Sequence, residues 1–337
     1  MGGIRLGING FGRIGRQVLR AVWGRYAETM EVAAINDLFD VQTNANLLQH
    51  DTNYGRFAPE VKAEGDDLVL DSWRVANFSE RDPSKIPWGE MGVDVVIEAT
   101  GIFNTGPLAG AHLDAGAHKV IITAPAKEPD LTLVLGVNDS DYDPQRHHVV
   151  SNASCTTNCL APLVSVLHRE FRIKSGSMST VHAYTNDQRI LDQAHKDPRR
   201  SRAAACNIIP TTTGAAKAVG LVIPELEGCI DGYALRVPTP TVSVVDFAAI
   251  LEREATADAI NKSLREAANS ELQGILGIND DPLVSSDFIG DPRSAILDPE
   301  FTGVRQGNLA KVMAWYDNEW GYSCRVADLA ARMGQFR

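Results

Sequence analysis

A glycine turn between a strand and a helix, close to the start of the chain, constrains the fold more than any other feature. Residues 4–9 read "IRLGIN", an apolar β-like run, and after the turn "RIGRQVLRAVW" has apolar side chains at helical spacing. Gly10, Gly12 and Gly15 fit G-x-G-x-x-G, in which glycine permits a tight turn and close approach of the backbone to a pyrophosphate at a helix N-terminus. Asp37 ends the next β-like run, 22 residues beyond Gly15. This spacing predicts that Asp37 binds the ribose hydroxyls of a dinucleotide.

Two further apolar runs extend the same domain. They read "VDVVIEATG" at 93–101 and "KVIITAPA" at 119–126, and the amphipathic segment "GPLAGAHLDAGAH" lies between them. Alternating elements of this kind predict an α/β fold with a doubly wound, Rossmann-type parallel sheet. Ligands of such sheets bind at the carboxyl ends of the strands, which here carry Thr100, Gly101 and Thr123.

The pattern changes after residue 150. The runs "GSMSTVHAYT", "GYALRV" and "TVSVVDFAAILER" predict a largely antiparallel sheet in an α+β catalytic domain. The predicted boundaries are 1–154 for the nucleotide-binding domain and 155–318 for the catalytic domain, with a C-terminal helix in 319–337 that packs back on the first domain. Residues 186–207 form a polar segment whose length is typical of a functional or interface loop.

The charge balance excludes a general attraction to nucleic acid or to anionic membranes. The chain carries 32 basic and 43 acidic residues, a net charge of −11. Its N-terminal segment "MGGIRLGINGFGRIGRQ" has no uninterrupted apolar stretch of the kind found in signal peptides or membrane helices. We therefore expect a cytoplasmic protein with neither a nucleic acid nor a membrane as partner.

The segment "SNASCTTNC" at 151–159 contains two cysteines four positions apart. Apolar side chains at helical spacing follow it, which places Cys155 near a helix N-terminus. The helix dipole and the free backbone N–H groups at that end predict a thiol pKa lowered to about 3.5–7.5. We expect no metal, because no second Cys/His pair completes a site with Cys155 and Cys159. The remaining cysteines are expected to pack as small buried thiols.

A thiolate nucleophile needs a base or a cationic partner. His182 ends the β-like run "SMSTVHAYT" and precedes the hydroxyl of Thr185. A histidine in a strand often has a purely structural role, so the residue pattern alone leaves the role of His182 open.

Six segments together carry a resemblance that extends over essentially the whole chain. They are "INGFGRIGR", "SNASCTTNC", "TVHAYTNDQ", "IIPTTTGAAKAV", "RVPTPTVSVVDF" and "WYDNEWGYS". In this order and spacing the chain resembles the phosphorylating glyceraldehyde-3-phosphate dehydrogenases. The resemblance implies that Cys155 is the nucleophile and His182 the base of a reaction that converts glyceraldehyde 3-phosphate, inorganic phosphate and NAD into 1,3-bisphosphoglycerate through a hemithioacetal and a thioester.

The resemblance also implies two sets of binding residues. For NAD they are the glycine turn with Arg13 and Ile14, then Asp37, Arg81, Thr100, Gly101, Thr123, Asn318 and Tyr322. For the phosphate of the substrate they are Thr185 and Arg236. For the attacking phosphate they are Ser154, Thr156, Thr213, Gly214 and Arg202.

Several alternatives stay open at this point. Gln193 and Ala194 stand where members restricted to NAD commonly carry Leu-Pro, so some use of NADP is compatible with the sequence, although Asp37 would repel a 2′-phosphate. An erythrose-4-phosphate dehydrogenase would share the nucleophile and the base. A nucleotide-binding interaction protein without catalysis is an alternative of another class. The resemblance further implies a homotetramer in which the 186–207 loop packs near a neighbour's cofactor.

Overall fold

The computed structural model describes residues 3–336, which divide into two compact units. Within these residues the first unit takes in 3–133, 140–153 and 323–336, and the second takes in 134–139 and 154–322. Each unit has its own sheet and its own core. None of the helices in residues 3–336 is long and apolar enough to cross a membrane.

The first unit is an α/β sheet structure, as predicted. Its helices are α1 (Arg13–Tyr26), α2 (Val41–Gln49), α3 (Gly106–Ala109) and α4 (Ala111–Asp114). Its strands are β1 (Ile4–Asn9), β2 (Met30–Asn36), β3 (His50–Asp51), β4 (Gly55–Arg56), β5 (Val61–Glu64), β6 (Asp67–Leu70), β7 (Trp73–Phe78), β8 (Val95–Glu98), β9 (Lys119–Ile122), β10 (Leu131–Thr132) and β11 (Val149–Ser151).

Strand β1 lies at the point where the chain changes direction across the sheet. The order within the described residues is β10-β11-β9-β8-β1-β2-β7-β6-β5, and β1 pairs in parallel with β2 on one side and β8 on the other. The strands at the β5 edge, β5, β6 and β7, pair antiparallel. The carboxyl ends of β1, β2 and β8 therefore meet at one edge, where open α/β sheets bind ligands.

The three glycines of the turn meet three different requirements. Gly10 has a φ of +90°, which favours glycine, and a Cβ there would lie 2.7 Å from the backbone nitrogen of Thr100. A Cβ on Gly15 would lie 2.2 Å from the carbonyl oxygen of Gly10, so helix α1 can pack against the turn only with glycine here. A Cβ on Gly12 would meet nothing within 4 Å among the described atoms. The open side of the turn is thus at Gly12.

The second unit contains helices and a mixed sheet. Its helices are α5 (Cys155–Phe171), α6 (Ala215–Val222) and α7 (Ala257–Ala268), and α8 (Trp320–Gly334) begins in it and continues into the first unit. Its strands are β12 (Ile173–Ala183), β13 (Ile209–Thr212), β14 (Ile230–Val237), β15 (Ser243–Leu251), β16 (Leu276–Ile278), β17 (Ala295–Leu297), β18 (Gly303–Arg305) and β19 (Leu309–Tyr316).

The sheet of the second unit is largely antiparallel, as predicted, with two parallel pairings, β16 with β17 at its edge and β12 with β14 near its centre. Strand β15 pairs antiparallel with β12 and with β19. Strand β12 pairs in parallel with β14, because the segment between them, which includes β13 and α6, returns the chain to the same end of the sheet. That parallel pairing places Arg236 of β14 directly beside His182 of β12.

Candidate active site

Helix α5 begins at Cys155, which confirms the predicted position of this thiol at a helix N-terminus. Ser154 is the N-cap, and its Oγ accepts a hydrogen bond of 3.0 Å from the backbone N–H of Thr157. Cys155 is partly exposed but packs against the core of the second unit, and the residues that follow it in the first turn are buried. The sequence therefore positions a reactive group at the one end of the helix where backbone donors are available.

The imidazole of His182 faces this thiol. The Sγ of Cys155 lies 3.5 Å from Nε2 of His182, although the two residues are 27 positions apart. Nδ1 of His182 lies 2.6 Å from the carbonyl oxygen of Ala183, which can only accept a hydrogen bond. Nη1 of Arg236 also lies 3.2 Å from Nδ1 and donates to the same carbonyl oxygen, but the contact of Nδ1 with Ala183 is the shorter one. Nδ1 therefore carries the proton of the neutral ring, and the lone pair of Nε2 points to the sulfur. Cys155 can donate its proton directly to His182.

The structure contradicts the prediction that the thiol pKa is lowered. Burial raises the pKa of Cys155, and this effect outweighs the opposing influence of the Arg236 guanidinium and of the donors in the first turn of α5. Burial, together with the charge of Arg236, also lowers the pKa of His182 to about 3. Both groups are consequently neutral at pH 7, and the nucleophile forms when the proton passes from sulfur to nitrogen.

Arg236 and Thr185 form a local site for an anion beside this pair. Nη1 of Arg236 donates to Oγ1 of Thr185 at 3.1 Å and to the carbonyl oxygen of Ala183 at 3.2 Å. Its Nε is buried and has no hydrogen-bond partner among the described residues. A buried cationic donor without an acceptor is costly, so the arrangement suits an anionic ligand that supplies one.

The hydroxyl groups predicted for the attacking phosphate lie at two neighbouring helix starts. Thr213 and Gly214 precede α6, where Oγ1 of Thr213 accepts from the backbone N–H of Ala215 at 3.2 Å. The hydroxyl of Thr157 donates to the carbonyl oxygen of Ala215 at 3.4 Å, which ties the first turn of α6 to the first turn of α5. Ser154 is the N-cap of α5, and Thr156 lies in its first turn.

Tyr316 is a residue of this site that the sequence reasoning did not identify. Its hydroxyl lies 2.9 Å from Oγ1 of Thr156 and 2.9 Å from Oγ1 of Thr180. Its ring meets the ring of His182 edge to face, with 6.0 Å between centroids. Burial raises the pKa of Tyr316, so the hydroxyl stays neutral. Tyr316 lies in the segment "WYDNEWGYS", and this position was the signal from which it could have been identified.

The structure does not bring Arg202 to the phosphate residues. The side chain of Arg202 is 63% exposed, and its Nε donates to Asp192 at 2.9 Å. Arg200, whose side chain is 19% exposed and paired with Asp187, lies instead against β13, the strand that ends directly before Thr213. Its Nε donates to Oγ1 of Thr211 at 2.8 Å, its Nη2 donates to the carbonyl oxygen of Thr212 at 3.2 Å, and its charge contributes to the lowered pKa of His182.

The residues predicted to bind the dinucleotide line a cleft in the first unit. The cleft has a volume of about 390 Å³ and is lined in part by Gly10, Gly12, Asp37, Arg81 and Thr100. The carboxylate of Asp37 accepts from the backbone N–H groups of Phe11 at 2.8 Å and Phe39 at 3.1 Å. These bonds hold Asp37 at the end of β2 and leave lone pairs for ribose hydroxyls.

Other predicted cofactor residues lie at the same edge of the sheet or at the start of helix α1. Helix α1 begins with Arg13 and Ile14. The guanidinium of Arg13 donates to Asp51 at 2.5 Å, so a pyrophosphate would bind to the backbone N–H groups of this turn. Oγ1 of Thr123 donates to the carbonyl oxygen of Glu98 at 3.0 Å. Gly101 has a φ of +72° and follows Thr100 in the turn after β8.

Asn318 and Tyr322, the remaining predicted cofactor residues, are described in the second unit. Oγ of Ser243 accepts from the backbone N–H of Ala183 at 3.1 Å and donates to Oδ1 of Asn318 at 2.9 Å. Ser243 thus sets the orientation of the Asn318 amide and links it to the residue whose carbonyl fixes the His182 tautomer. Tyr322 is buried in the first turns of α8.

The other cysteines are less uniform than predicted. Cys159 and Cys324 are buried, as expected, but Cys206 is exposed and Cys229 is partly exposed. The prediction is wrong for these two because they lie in a 3₁₀ turn and in a loop. Among residues 3–336 no group of three histidine, cysteine or acidic side chains is arranged to hold a metal ion.

Two family models match the chain. The model described as the NAD binding domain of glyceraldehyde 3-phosphate dehydrogenase matches residues 4–106, and the model of its C-terminal domain matches residues 154–318. The chain belongs to the glyceraldehyde-3-phosphate dehydrogenase family. Curated family members match almost the whole length. The proteins of Geobacillus stearothermophilus and Bacillus subtilis are 56% and 55% identical over 97% of both chains, and that of Streptomyces coelicolor is 54% identical over 98% of both.

Membership of the glyceraldehyde-3-phosphate dehydrogenase family confirms that the cofactor is NAD. The residues present fit this group. The glycine turn is open at Gly12, where a ligand can approach the backbone, and Asp37 offers a carboxylate to ribose hydroxyls. The dehydrogenase activity named for these relatives is consistent with the chemistry that the geometry of Cys155 and His182 supports.

Proposed function

We propose that Cys155 and His182 carry out the oxidative phosphorylation of glyceraldehyde 3-phosphate. The observation that supports these roles is the distance of 3.5 Å between Sγ of Cys155 and an Nε2 whose lone pair is available, because Nδ1 of His182 donates to Ala183. The chain is an NAD-dependent glyceraldehyde-3-phosphate dehydrogenase of the glycolytic type. Its own residues account for the proton transfers, the binding of both phosphates and the release of the product.

His182 moves the proton in both halves of the oxidation. It takes the thiol proton while sulfur attacks the aldehyde carbon and gives that proton to the carbonyl oxygen, which forms a hemithioacetal on Cys155. It then takes the hydroxyl proton back as the C–H bond breaks, and a thioester remains. The cofactor, when bound, accepts the hydride. In the folded protein without ligands the pKa of His182 is about 3. A protonated His182 is therefore strongly acidic and returns its proton readily.

The phosphate groups bind to different parts of the site. Arg236 and Thr185 hold the phosphate of the substrate, because Nε of Arg236 is buried and offers a donor that the described residues do not use. The attacking phosphate binds at the starts of α5 and α6, where Ser154, Thr156, Thr213 and Gly214 provide hydroxyl and backbone donors. Its oxygen attacks the thioester carbon, the C–S bond breaks, and the sulfur leaves as thiolate.

Arg200 takes the place of Arg202 in this proposal. The sequence prediction assigned Arg202 to the attacking phosphate, and the two residues are two positions apart in the same loop. Arg200 is anchored on β13, directly before Thr213, and its ion pair with Asp187 is partly buried. Arg202 is paired with Asp192 in solvent. A guanidinium near the phosphate residues supplies the charge that an acidic protein needs to bind an anion.

The two alternatives from the sequence are less well supported. An erythrose-4-phosphate dehydrogenase largely hydrolyses its thioester and has little need of a second anion site, but this chain keeps Thr213 and Gly214 at a helix start beside α5. A binding protein without catalysis has no use for the pairing of Cys155 with His182. The names of the bacterial relatives also favour the glyceraldehyde 3-phosphate reaction.

The assembly and location belong to the proposal as well. Three large apolar side chains on or next to the 186–207 loop are exposed, Ile190 at 84%, Leu191 at 77% and Ile208 at 67%. Such a group of side chains supports the homotetramer implied by the sequence resemblance. We retain the predicted domain boundaries at 154 and 318 and the predicted cytoplasmic location. Some use of NADP is retained too, because Gln193 and Ala194 lie in this loop.

A direct experiment tests the roles together. Cys155→Ser should abolish NADH formation while the binding of NAD, measured by fluorescence quenching, stays within about twofold, because the thiol belongs to the chemistry and not to cofactor binding. In the unmodified enzyme, turnover should depend on phosphate. A serine variant with normal turnover would contradict the role of Cys155, and turnover that is independent of phosphate would support the erythrose-4-phosphate alternative.

A further inference from the structure

A buried carboxylate lies beneath the floor of the dinucleotide cleft. Glu98 ends β8, is 2% exposed, and accepts four hydrogen bonds. Its Oε1 accepts from the backbone N–H of Thr100 at 2.8 Å and from the hydroxyl of Thr100 at 2.5 Å. Its Oε2 accepts from Nδ2 of Asn9 at 2.6 Å and from Nε2 of His112 at 3.0 Å. The N–H groups of Thr100 and Asn9 can only donate, so both oxygens of Glu98 act as acceptors.

The donor and acceptor roles in this network are fixed from its far end. Nε1 of Trp88 can only donate, and it lies 3.0 Å from Nδ1 of His112. Nδ1 of His112 is therefore an acceptor, its Nε2 carries the proton, and that proton points to Glu98. His112 is wholly buried. A chain of hydrogen bonds thus runs from the core of the first unit to the end of strand β8.

The same network reaches the neighbouring strands on the other side. Oδ1 of Asn9, at the end of β1, accepts from Nδ2 of Asn36 at 2.8 Å. Asn36 ends β2, and its Oδ1 accepts from the backbone N–H of Glu80 at 2.7 Å. Glu98 therefore ties together the carboxyl ends of three adjacent parallel strands. Asn9, Asn36, Glu80 and Thr100 all line the cleft, whereas Glu98 and His112 lie below it.

We propose that Glu98 is a positioning residue for the dinucleotide: it holds Asn9 and Thr100 at the spacing that lets the glycine turn between them receive the cofactor. The position of Gly10 supports this role, because a Cβ there would already lie 2.7 Å from the nitrogen of Thr100 that Glu98 binds. Movement of Thr100 by a few tenths of an ångström would displace the turn. The inference rests on the proposed use of this cleft for NAD.

Glu98→Gln is the first test. If the new NH2 group replaces Oε1, the backbone N–H of Thr100 loses its acceptor; if it replaces Oε2, it faces the N–H groups of Asn9 and His112. A buried donor is left without an acceptor in either case. The dissociation constant for NAD, measured by fluorescence quenching on the purified enzyme, should rise about tenfold, while kcat at saturating NAD changes less than about threefold. The alkylation rate of Cys155, a residue of the other unit, should not change. An unchanged dissociation constant would overturn the proposal.

A double variant tests the arrangement itself. In Asn9→Asp with Glu98→Gln, the amide of residue 98 can donate to the carboxylate of residue 9. That carboxylate can also accept from Nε2 of His112, which lies 3.5 Å from Nδ2 of Asn9, and from Asn36. The amide of residue 98, His112 and Asn36 then each have an acceptor, and binding should return to within about threefold of the unmodified protein. A double variant as weak as Glu98→Gln, or weaker, would contradict the proposal.

Two controls separate the possible failures. Asp37→Ala should weaken NAD binding if the cleft is the cofactor site, whatever Glu98 does. If neither Asp37→Ala nor Glu98→Gln changes the dissociation constant, the assignment of the cleft fails; if only Asp37→Ala changes it, the role of Glu98 alone fails. Should Glu98→Gln not fold, His112→Phe removes one donor to Glu98 and leaves the residues that line the cleft unchanged. It should weaken NAD binding about threefold, and an unchanged constant would count against the proposal.

Discussion

The carbonyl oxygen of Ala183 lies 2.6 Å from Nδ1 of His182, and this contact determines which ring nitrogen acts as the base. Because a carbonyl oxygen can only accept, the ring is held with Nε2 free of its proton and 3.5 Å from Sγ of Cys155. The same burial that fixes the ring removes water from it and keeps it neutral. Reactivity and stability at this position are therefore linked.

That link predicts how His182 affects stability in acid. Its pKa in the folded protein is about 3, below the ordinary value of 6.5, so the unfolded chain binds a proton below pH 6.5 and the folded chain does not until about pH 3. Stability contributed by the neutral ring is thus lost as the pH falls from 6.5 to 3. Between pH 7 and 4.5 the unmodified protein should lose about 3 kcal/mol more unfolding free energy than His182→Asn, measured with urea. Equal losses would show that His182 titrates normally.

A pair of glycine variants separates packing from cofactor approach. Gly15→Ala places a Cβ 2.2 Å from the carbonyl oxygen of Gly10, so the melting temperature should fall by several degrees. Gly12→Ala meets nothing within 4 Å, so the melting temperature should stay within about 2 °C, while the dissociation constant for NAD rises at least about tenfold. Gly24→Ala, in the same helix with open space around it, should leave NAD binding unchanged. Unchanged binding in Gly12→Ala would contradict the role of the turn.

Asp37 should set the preference for NAD over NADP. Asp37→Asn removes the negative charge and keeps an acceptor for the N–H of Phe11, so the ratio of kcat/KM for NADP to that for NAD should rise about tenfold. Asp40→Asn is the matched control, because Asp40 is an exposed cap of α2 and asparagine also serves as a cap. The ratio should not move in the control. A ratio that rises equally in both variants would indicate a general charge effect.

Two arginines of the same loop give a direct comparison. Arg200→Ala should raise the KM for phosphate about tenfold or more, because its guanidinium lies on β13 beside Thr211 and Thr212, before the predicted phosphate residues. Arg202→Ala removes a solvent-exposed ion pair with Asp192 and should change this KM less than about twofold. Steady-state kinetics at varied phosphate distinguish the two. The reverse pattern would restore Arg202 as the phosphate ligand.

The parts of the molecule that could be predicted from the sequence depend on local rules. The glycine turn, the helix start at Ser154 and the strand ends at Asp37 and Thr100 follow from residue types at fixed spacing. The choice between Arg200 and Arg202 could not be predicted, because it depends on which side chain meets β13 after the loop has folded.

The raised pKa of Cys155 could not be predicted for a related reason. The helix N-terminus is visible in the sequence, but the burial that outweighs it comes from distant segments. Glu98 shows the same limit, since its partners Asn9 and His112 are brought together by the sheet and a helix that packs on it. The pairing of Cys155 with His182 was predicted only through the family resemblance, because residues 27 positions apart have no local rule that joins them.

The pH dependence of Cys155 alkylation by iodoacetamide tests the central claim, that His182 takes the thiol proton. In the unmodified enzyme the rate at pH 7 should exceed that of His182→Asn about 100-fold or more, because Nε2 accepts the thiol proton as the sulfur attacks. In His182→Asn, burial raises the pKa of Cys155 and no base relieves it, so the profile should shift above pH 9, the ordinary pKa of a thiol. Superimposable profiles for the two proteins would contradict the claim.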